Sequence, residues 1–507
     1  MLLKDLIKGT RCTPRAGTRL SARITDIAED SRTCVPGSLF IAKRGTALDG
    51  AAFIHDAIEH GAEAILIDAR TDADHVPAHI AALITDDVPR TGARLAERFF
   101  GDPSGDLYVA GVTGTNAKTT VTTLAHAMLN HAGVRTGLIG TVTIDDGREI
   151  GAASLTTPPA TEISRTLATM REHQCIAAML ECSSHALHQG RTSAVRFDCA
   201  VFTNLSGDHL DYHGTLDAYA DAKALLFEQL GAGLAIVNAD DPFSSRMLEA
   251  CPEAEVLRFA PAGSSAPGDA RLSVIHADLV AQRLELIGPW GSAEGVLRAP
   301  GAHNATNALA AACVCWHAGL DADAIAGALE HARMPEGRVQ RVSTGADGEP
   351  TVFVDFAHTD EALAMTLRAL RGAMADDQRL ICVFGCGGDR DRTKRPRMGQ
   401  AACTHADVVV LTSDNPRTET PQAIIEDVLA GLNERQRARV EVHADRARAI
   451  DEAIALARPR DVVLIAGKGH EREQLLPDGA GGIRRTAFDD RQHALAVLTR
   501  RAGGASR

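Results

Sequence analysis

The chain has 507 residues, 45% hydrophobic and 23% charged, and its 53 basic against 66 acidic side chains give a formal net charge of −13. That balance excludes a wholly disordered chain, and the length suits about three domains. The acidic sum and the 4% aromatic content argue against a general grip on nucleic acid, whether by charge or by base stacking.

The first residues carry Lys4, Asp5 and Lys8 and no leader-like apolar stretch. The longest apolar candidate, 308–316, is far shorter than the roughly 20 residues of a membrane span. A cytoplasmic protein without membrane insertion is expected. The 11 cysteines are scattered without a C-x-x-C and read as reduced core residues, with no zinc site or disulfide framework.

Short β-rich runs alternate with helical patterns, which predicts an α/β fold in three domains. Residues 1–89 form a small N-terminal α/β domain, with strands expected at 38–42, 64–68 and 81–85. Residues 90–336 form a central P-loop-type domain with a mostly parallel sheet. Its strands are expected at 108–112, 138–142, 176–181, 199–203 and 235–238, followed by loops and short antiparallel strands over 252–299. Residues 337–507 form a C-terminal Rossmann-like domain, with strands at 352–355, 380–385, 408–412 and 462–466. Strand after strand ends in polar or glycine-rich residues. Ligands of open α/β sheets bind beyond such ends, so two facing domains with a cleft between them are expected.

The run Gly111-Val-Thr-Gly-Thr-Asn-Ala-Lys118-Thr119-Thr120 follows a strand and opens a helix, as a phosphate loop does. Its backbone from Gly114 through Thr115, Asn116, Ala117 and Lys118 to Thr119 and Thr120 would cradle ATP. Lys118 would reach the β- and γ-phosphates and Thr119 would bind Mg²⁺. Ala117 stands where the pattern has glycine. A positive φ there costs on the order of 1 kcal/mol, whereas a negative φ makes alanine harmless. A working loop with at most weakened ATP affinity is expected.

Glu181 ends the next apolar strand, and a carboxylate at that place suits Mg²⁺. Asp208, His209, Asp211 and His213 crowd a following loop, and His209 is the candidate second metal contact. The segment 218–230 reads as a helix with Tyr219, Ala222, Leu226, Phe227 and Leu230 on one apolar face, and Lys223 falls on that face. A lysine there snorkels, pairs or loses its charge. As a neutral amine it can take up CO₂ and become a carbamate, an anionic oxygen ligand for Mg²⁺.

Further motifs follow in order: DSR (30–32), TTP (156–158), ECSSHAL (181–187), GDHLDYHGT (207–215), YADAKALLF (219–227), HNATNALAA (303–311), GR (337–338), DFAHT (355–359), GCGGDRD (385–391), DNPR (414–417) and GKGHE (467–471). With the phosphate loop, they make the chain resemble, nearly end to end, the Mur ligases. These are ATP-dependent amide-bond-forming enzymes of peptidoglycan precursor synthesis. The members that add meso-2,6-diaminopimelate to UDP-N-acetylmuramoyl-L-alanyl-D-glutamate are the nearest likeness. The resemblance implies that Lys118, Glu181, His209 and Lys223 are catalytic. Thr119, Glu181, His209 and carbamylated Lys223 would hold Mg²⁺. Asn304 and Asn307 would lie near the nucleotide base, and Arg338 and Asp355 would contact ATP. Ser31, Thr156, Thr157, Ser183, Gln189 and Arg191 would hold the UDP-sugar dipeptide. In DNPR, Arg417 would clamp the distal carboxylate of diaminopimelate while Asp414, Asn415 and Pro416 orient it. Arg390, Gly467 and Glu471 match further amino-acid contacts, with Glu471 suited to the distal ammonium.

The reaction implied is γ-phosphoryl transfer to a carboxylate, then attack of an amine on the acyl phosphate. Mg²⁺, Lys118 and Arg338 would offset the charge, and domain closure would exclude water. The sequence departs from the family pattern at Ala117, at Phe356 and Asp360 of DFAHTD, at Glu473-Gln474 and at Glu29. A lysine-adding sibling, another Mur or folylpolyglutamate-type ligase, a P-loop kinase and a non-catalytic nucleotide binder remain the alternatives. A monomer acting on small molecules is expected.

Overall fold

Strands covered by helices on both faces need no polar alternation, and the continuous apolar runs of this chain become parallel strands. The computed structural model describes residues 1–45 and 49–505. It comprises two units: Met1–Phe259 with Ala266–Asp269 and Ala310–Asp321, and Ala260–Ser265, Ala270–Leu309 and Ala322–Arg507.

The first unit holds two sheets. A five-stranded sheet runs in the order Thr13–Pro14, Ala81–Thr85, Ala62–Asp68, Ser38–Ile41, Asp26–Ala28. An eight-stranded sheet runs Glu255–Phe259, Leu234–Asn238, Cys199–Phe202, Tyr108–Thr113, Ala177–Glu181, Thr136–Ile139, Thr143–Asp145, Ile150–Ala152. Its first six strands are parallel and its last two antiparallel. The loops after Thr113, Glu181 and Phe202 therefore leave the same end of three adjacent strands.

The two sheets are stapled through helix Ala160–Glu172. Arg165 pairs with Asp26 at 2.8 Å, and buried Glu97, on helix Val88–Phe99, accepts from the Ser164 hydroxyl at 2.6 Å. Glu97 also accepts from the amide and hydroxyl of Ser104, so its carboxylate is fully engaged.

In the second unit an antiparallel sheet of Arg271–Ala277, Gln282–Gly288 and Gly291–Leu297 precedes a six-stranded sheet. The latter runs Gln340–Val342, Thr351–Asp355, Val462–Ala466, Leu380–Phe384, Val408–Thr412, Val440–His443, parallel except for its first edge strand. The loops after Asp355, Ala466, Phe384 and Thr412 leave one end of four neighbouring strands.

The α/β class with mostly parallel sheets is as expected. Several elements differ from the sequence reading. Glu255–Phe259 is a parallel edge strand, not part of an antiparallel group. The strand expected over 138–142 stops at Ile139, because Gly140 passes against Glu181: a Cβ there would lie 2.5 Å from its Oε1. The chain then reverses into a hairpin. All 11 cysteines are free thiols, ten of them buried. Among the described residues no helix is long and apolar enough to cross a membrane.

Candidate active site

The phosphate loop is shaped by its backbone. Gly114 has φ 153°, and a Cβ on it would fall 1.9 Å from Thr203 Oγ1, so only glycine fits. The amides of Thr115 and Asn116 donate to Asn204, and Thr203 Oγ1 donates to the Asn116 carbonyl at 2.7 Å. Ala117 then sits in the left-handed region, φ 74° and ψ −12°, as the N-cap of helix Lys118–His131. The alanine is therefore strained, at a cost on the order of 1 kcal/mol. The amides of the first helical turn face outward for an anion. Lys118 folds back onto its own loop, donating to the carbonyls of Gly114 (2.8 Å) and Thr115 (3.0 Å).

Buried Glu181 organises the neighbouring loops. Its Oε2 accepts from the hydroxyls of Thr119 and Thr141, both at 2.9 Å, and its Oε1 accepts from the Thr141 amide at 2.7 Å. Thr141 continues to Thr156, and Thr157 donates to the Glu181 carbonyl at 2.6 Å. The Ser183 amide donates back to Thr157, and Arg191 donates to the Thr157 carbonyl at 2.7 Å and to Gln189 Oε1 at 2.8 Å. Thus Thr156, Thr157, Ser183, Gln189 and Arg191 form one hydrogen-bonded surface continuous with Glu181.

Ser31 lies on the N-terminal sheet side, bonded to Asp56. Nearby, Glu29 pairs with Lys43 and also accepts from the Thr161 amide at 3.2 Å. These two charged residues line a recess with Gln189 and Arg191.

His209, at φ 54°, precedes the short helix Leu210–His213. Its side chain is 47% exposed, yet partial desolvation and the neighbouring His185, Lys118 and Lys223 lower its pKa to about 4, so the ring is neutral and able to ligate a metal near pH 7. Lys223 is fully buried in helix Leu216–Glu228, its Nζ 4.1 Å from the centre of the Tyr219 ring. That ring favours an ammonium, but burial and the nearby Lys118 charge outweigh it and hold the amine well below its ordinary pKa. Among the described residues no three His, Cys, Asp or Glu side chains form a metal cage. One carboxylate and one hydroxyl beside a phosphate loop instead fit Mg²⁺, which takes few protein ligands and keeps water and phosphate oxygens.

In the second unit, Asn304 and Asn307 are buried on helix Ala302–His317, and Asn304 Nδ2 donates to the Pro300 carbonyl at 2.9 Å. Arg338 stacks on the Phe356 ring at 4.6 Å, so phenylalanine at this position still supplies the aromatic face. Asp355 accepts from the amides of Val339 (2.7 Å) and Ala357 (3.0 Å) and from the Thr366 hydroxyl (3.1 Å). In this structure its carboxylate holds the loop that carries Arg338. Val339 has φ 44°, rare for a β-branched residue, which marks that loop as strained.

The loops after Phe384, Thr412 and Ala466 converge. Gly388 touches the DNPR backbone so closely that a Cβ would lie 1.9 Å from the Pro416 carbonyl oxygen. Arg417, at φ 54°, donates to the Gly388 carbonyl at 2.6 Å and is itself held by the Leu475 carbonyl. Burial, then the neighbouring Arg390 charge, lower its pKa. Both arginines border Gly387, with Arg417 Nη1 3.1 Å and Arg390 Cγ 3.9 Å from where its Cβ would stand, and two cations beside glycine backbone would suit a carboxylate. Asp414 is buried, with its pKa raised by burial against the pull of Arg446 and Lys468. Its Oδ2 packs on Gly467, where a Cβ would approach to 2.7 Å. Asn415 Nδ2 donates to Glu471 Oε2 at 2.7 Å.

Family profiles match in three places: a Mur ligase family catalytic domain over residues 23–99, a Mur ligase middle domain over 112–315 and a Mur ligase glutamate ligase domain over 337–469. A UDP-N-acetylmuramoyl-L-alanyl-D-glutamate–2,6-diaminopimelate ligase of Synechococcus elongatus is 41% identical over 497 residues, 95% of each chain. The protein of the same name from Gloeobacter violaceus is 43% identical over 479 residues, 94% of each. The chain belongs to the Mur ligase family. A solved structure of a ligase with that name superposes on this Mur ligase with a TM-score of 0.68, at 30% identity and 99% coverage of both chains. An ADP complex of MurF from Thermotoga maritima, 17% identical, shares the fold at a TM-score of 0.63.

Other residues that shape the site of this Mur ligase escaped the sequence reading. Arg446 and Asp490 are both fully buried and form a bidentate pair at 2.7 and 2.6 Å. Arg446 also donates to the carbonyls of Ser413 (3.3 Å) and Ala466 (3.0 Å), the residues just before Asp414 and Gly467. Gln474 donates to Ser413 Oγ and to the Asp414 carbonyl. Buried Arg395 bridges Glu419, Asp427 and the Gly387 carbonyl. A buried charge must have a partner, but its partner cannot be found along the sequence; only the uncommon arginine within an apolar helix pattern, Arg446, was a signal.

Proposed function

We propose that this Mur ligase adds meso-2,6-diaminopimelate to the D-glutamate γ-carboxylate of UDP-N-acetylmuramoyl-L-alanyl-D-glutamate, with ATP consumed through an acyl phosphate. The observation that carries this reading is the paired cation receptor, Arg417 beside Arg390, close to the carboxylate of Glu471. A carboxylate receptor and an ammonium receptor together recognise an amino-acid head, which diaminopimelate carries at its distal end and lysine lacks.

In this reading the blocks 1–89, 90–336 and 337–507 bind the UDP-sugar, the nucleotide and the amino acid. The amides opening helix Lys118–His131 hold the ATP phosphates. Lys118 exchanges its two loop carbonyls for the γ-phosphate and offsets charge as phosphoryl transfer proceeds. Thr119, Glu181 and His209 would hold Mg²⁺, which when bound would neutralise phosphate charge. Lys223, kept neutral by its surroundings, would add its amine to CO₂ with loss of a proton, and the resulting carbamate would offer oxygen ligands to a second Mg²⁺. Thr156, Thr157, Ser183, Gln189 and Arg191, with Ser31, orient the glutamyl substrate. The amine of diaminopimelate then attacks the acyl phosphate, and phosphate leaves from the tetrahedral adduct. The enzyme works as a cytoplasmic monomer, where ATP and UDP-linked precursors are available.

The test is ADP and phosphate release with the UDP-dipeptide, Mg²⁺ and bicarbonate, comparing meso-diaminopimelate with L-lysine. Turnover confined to diaminopimelate is expected. Turnover with lysine at equal efficiency refutes the choice of amino acid, and release of ADP without the UDP-dipeptide refutes the ligase reading.

A further inference from the structure

The GKGHE segment carries a lysine that none of the roles above uses. Lys468 is completely buried, and its ammonium has three acceptors for its three protons: Asn415 Oδ1 at 3.0 Å, Glu471 Oε2 at 2.8 Å and the Glu473 carbonyl at 2.7 Å. Asp414 Oδ1 stands further off, at 3.9 Å.

These bonds fix two other side chains. Asn415 Oδ1 accepts from Lys468 and from the Leu475 amide at 3.0 Å. Both partners are donors only, so the oxygen must face them and the Nδ2 must face Glu471, to which it donates at 2.7 Å. Glu471 then receives two donors on Oε2, and its Oε1 receives none among the described residues. The side chain remains 35% exposed. Burial pushes this carboxyl up, and Lys468 with Asn415 draws it below its ordinary pKa. The site therefore displays one ionised oxygen at a set orientation, beside the carboxylate receptor built by Arg417 and Arg390.

We infer that Lys468 is a positioning residue for amino-acid selection: it anchors one oxygen of Glu471 and the amide of Asn415, so that the other oxygen of Glu471 meets the distal ammonium of the incoming amino acid. The inference rests on the functional reading above. An internal ammonium that occupies half of a carboxylate leaves room for a single substrate ammonium and sets its direction. Without it, Glu471 gains rotamer freedom and the Asn415 amide can turn over. Substrates that lack the distal amine gain nothing from this arrangement.

The experiment compares kcat/KM for meso-diaminopimelate with kcat/KM for 2-aminopimelate, which keeps the distal carboxylate and lacks the distal amine. The ratio is taken within each variant, so a smaller folded fraction cancels. Wild type should favour diaminopimelate by about 100-fold or more, the scale on which a site rejects a substrate lacking a charged partner. Lys468→Met should reduce the ratio at least about tenfold, with KM for ATP within about twofold of wild type. Lys468→Gln, which can still donate to Glu471, should fall between the two and serves if the methionine variant does not fold. Glu471→Gln should reduce the ratio as Lys468→Met does, and the double variant should add little to either. A ratio unchanged in the Lys468 variants, with only kcat and Tm reduced, overturns the inference and leaves Lys468 as packing. Independent, additive effects of Lys468→Met and Glu471→Gln overturn it as well. A wild-type enzyme that ligates lysine and ignores diaminopimelate overturns the functional reading instead.

Discussion

The phosphate loop and the proposed amino-acid pocket would hold a charged ligand by opposite means. The phosphate loop is made of backbone. It has a strained Ala117, a glycine at 114 that no side chain can replace, and helix-start amides beside a Lys118 whose ammonium donates to two loop carbonyls. The amino-acid pocket is made of side chains. Arg446, Lys468, Asp414, Asn415, Glu471, Gln474 and Asp490 are tied to one another or to the loops they support. A backbone site tolerates changes of side chain and depends on conformation. A side-chain network depends on every member, because each removal leaves a buried charge or polar group without its partner.

Four measurements test this contrast. The largest effect is expected for Arg417→Ala, which should lower kcat/KM for diaminopimelate by about 10³-fold and leave KM for ATP within about twofold. Equal losses for both substrates would mean that the two sites are not separable. Next is Asp490→Asn, which leaves the buried Arg446 guanidinium without its counter-ion. It should cost about 3–5 kcal/mol in chemical denaturation and raise KM for diaminopimelate more than KM for ATP. A loss below about 1 kcal/mol would break the comparison.

The third uses pH. Lys223 binds its proton in the unfolded chain and not in the native one, because burial holds its native pKa well below the ordinary 10.5. Stability of the CO₂-free wild type should therefore fall as pH drops below about 10, by up to about 1.4 kcal/mol per pH unit, until the native pKa is reached. Lys223→Met should lack that slope and be inactive. Parallel stability curves for the two proteins would show that the lysine keeps its charge when buried. The smallest effect is expected for Ala117→Gly, which relieves the left-handed strain. It should stabilise by about 1 kcal/mol and change KM for ATP by less than about tenfold.

The same contrast explains what the sequence disclosed. The phosphate loop is contiguous, so Gly114 to Thr120 could be read as one motif, and only the sign of φ at Ala117 had to await the structure. The motifs DNPR and GKGHE were legible one at a time. Their joining was not, because Arg446 and Gln474 reach Ser413 from positions 33 and 61 residues away. Lys223 could be picked out because an apolar helical stripe makes a lysine conspicuous. Arg395 stood among exposed-looking arginines in KRPR, and nothing in the pattern told the buried one from its neighbours. The edge strands Asp26–Ala28, Gln340–Val342 and Val440–His443 were missed for a related reason. They are short or half-polar, and what defines them is the partner strand rather than their own residues.

Asp490 opens the helix Asp490–Ala505, beyond the last residue of the glutamate ligase domain match at 469. Its bond to Arg446 makes the beginning of that helix part of the floor beneath the proposed amino-acid pocket. A fragment cut at residue 489 would keep every motif that names the family and lose the anion that holds two of them at their working distance. Such a fragment should still be recognisable by sequence comparison while failing to choose its amino acid. The boundary of a recognisable family segment and the boundary of a functioning pocket are, in this molecule, about twenty residues apart.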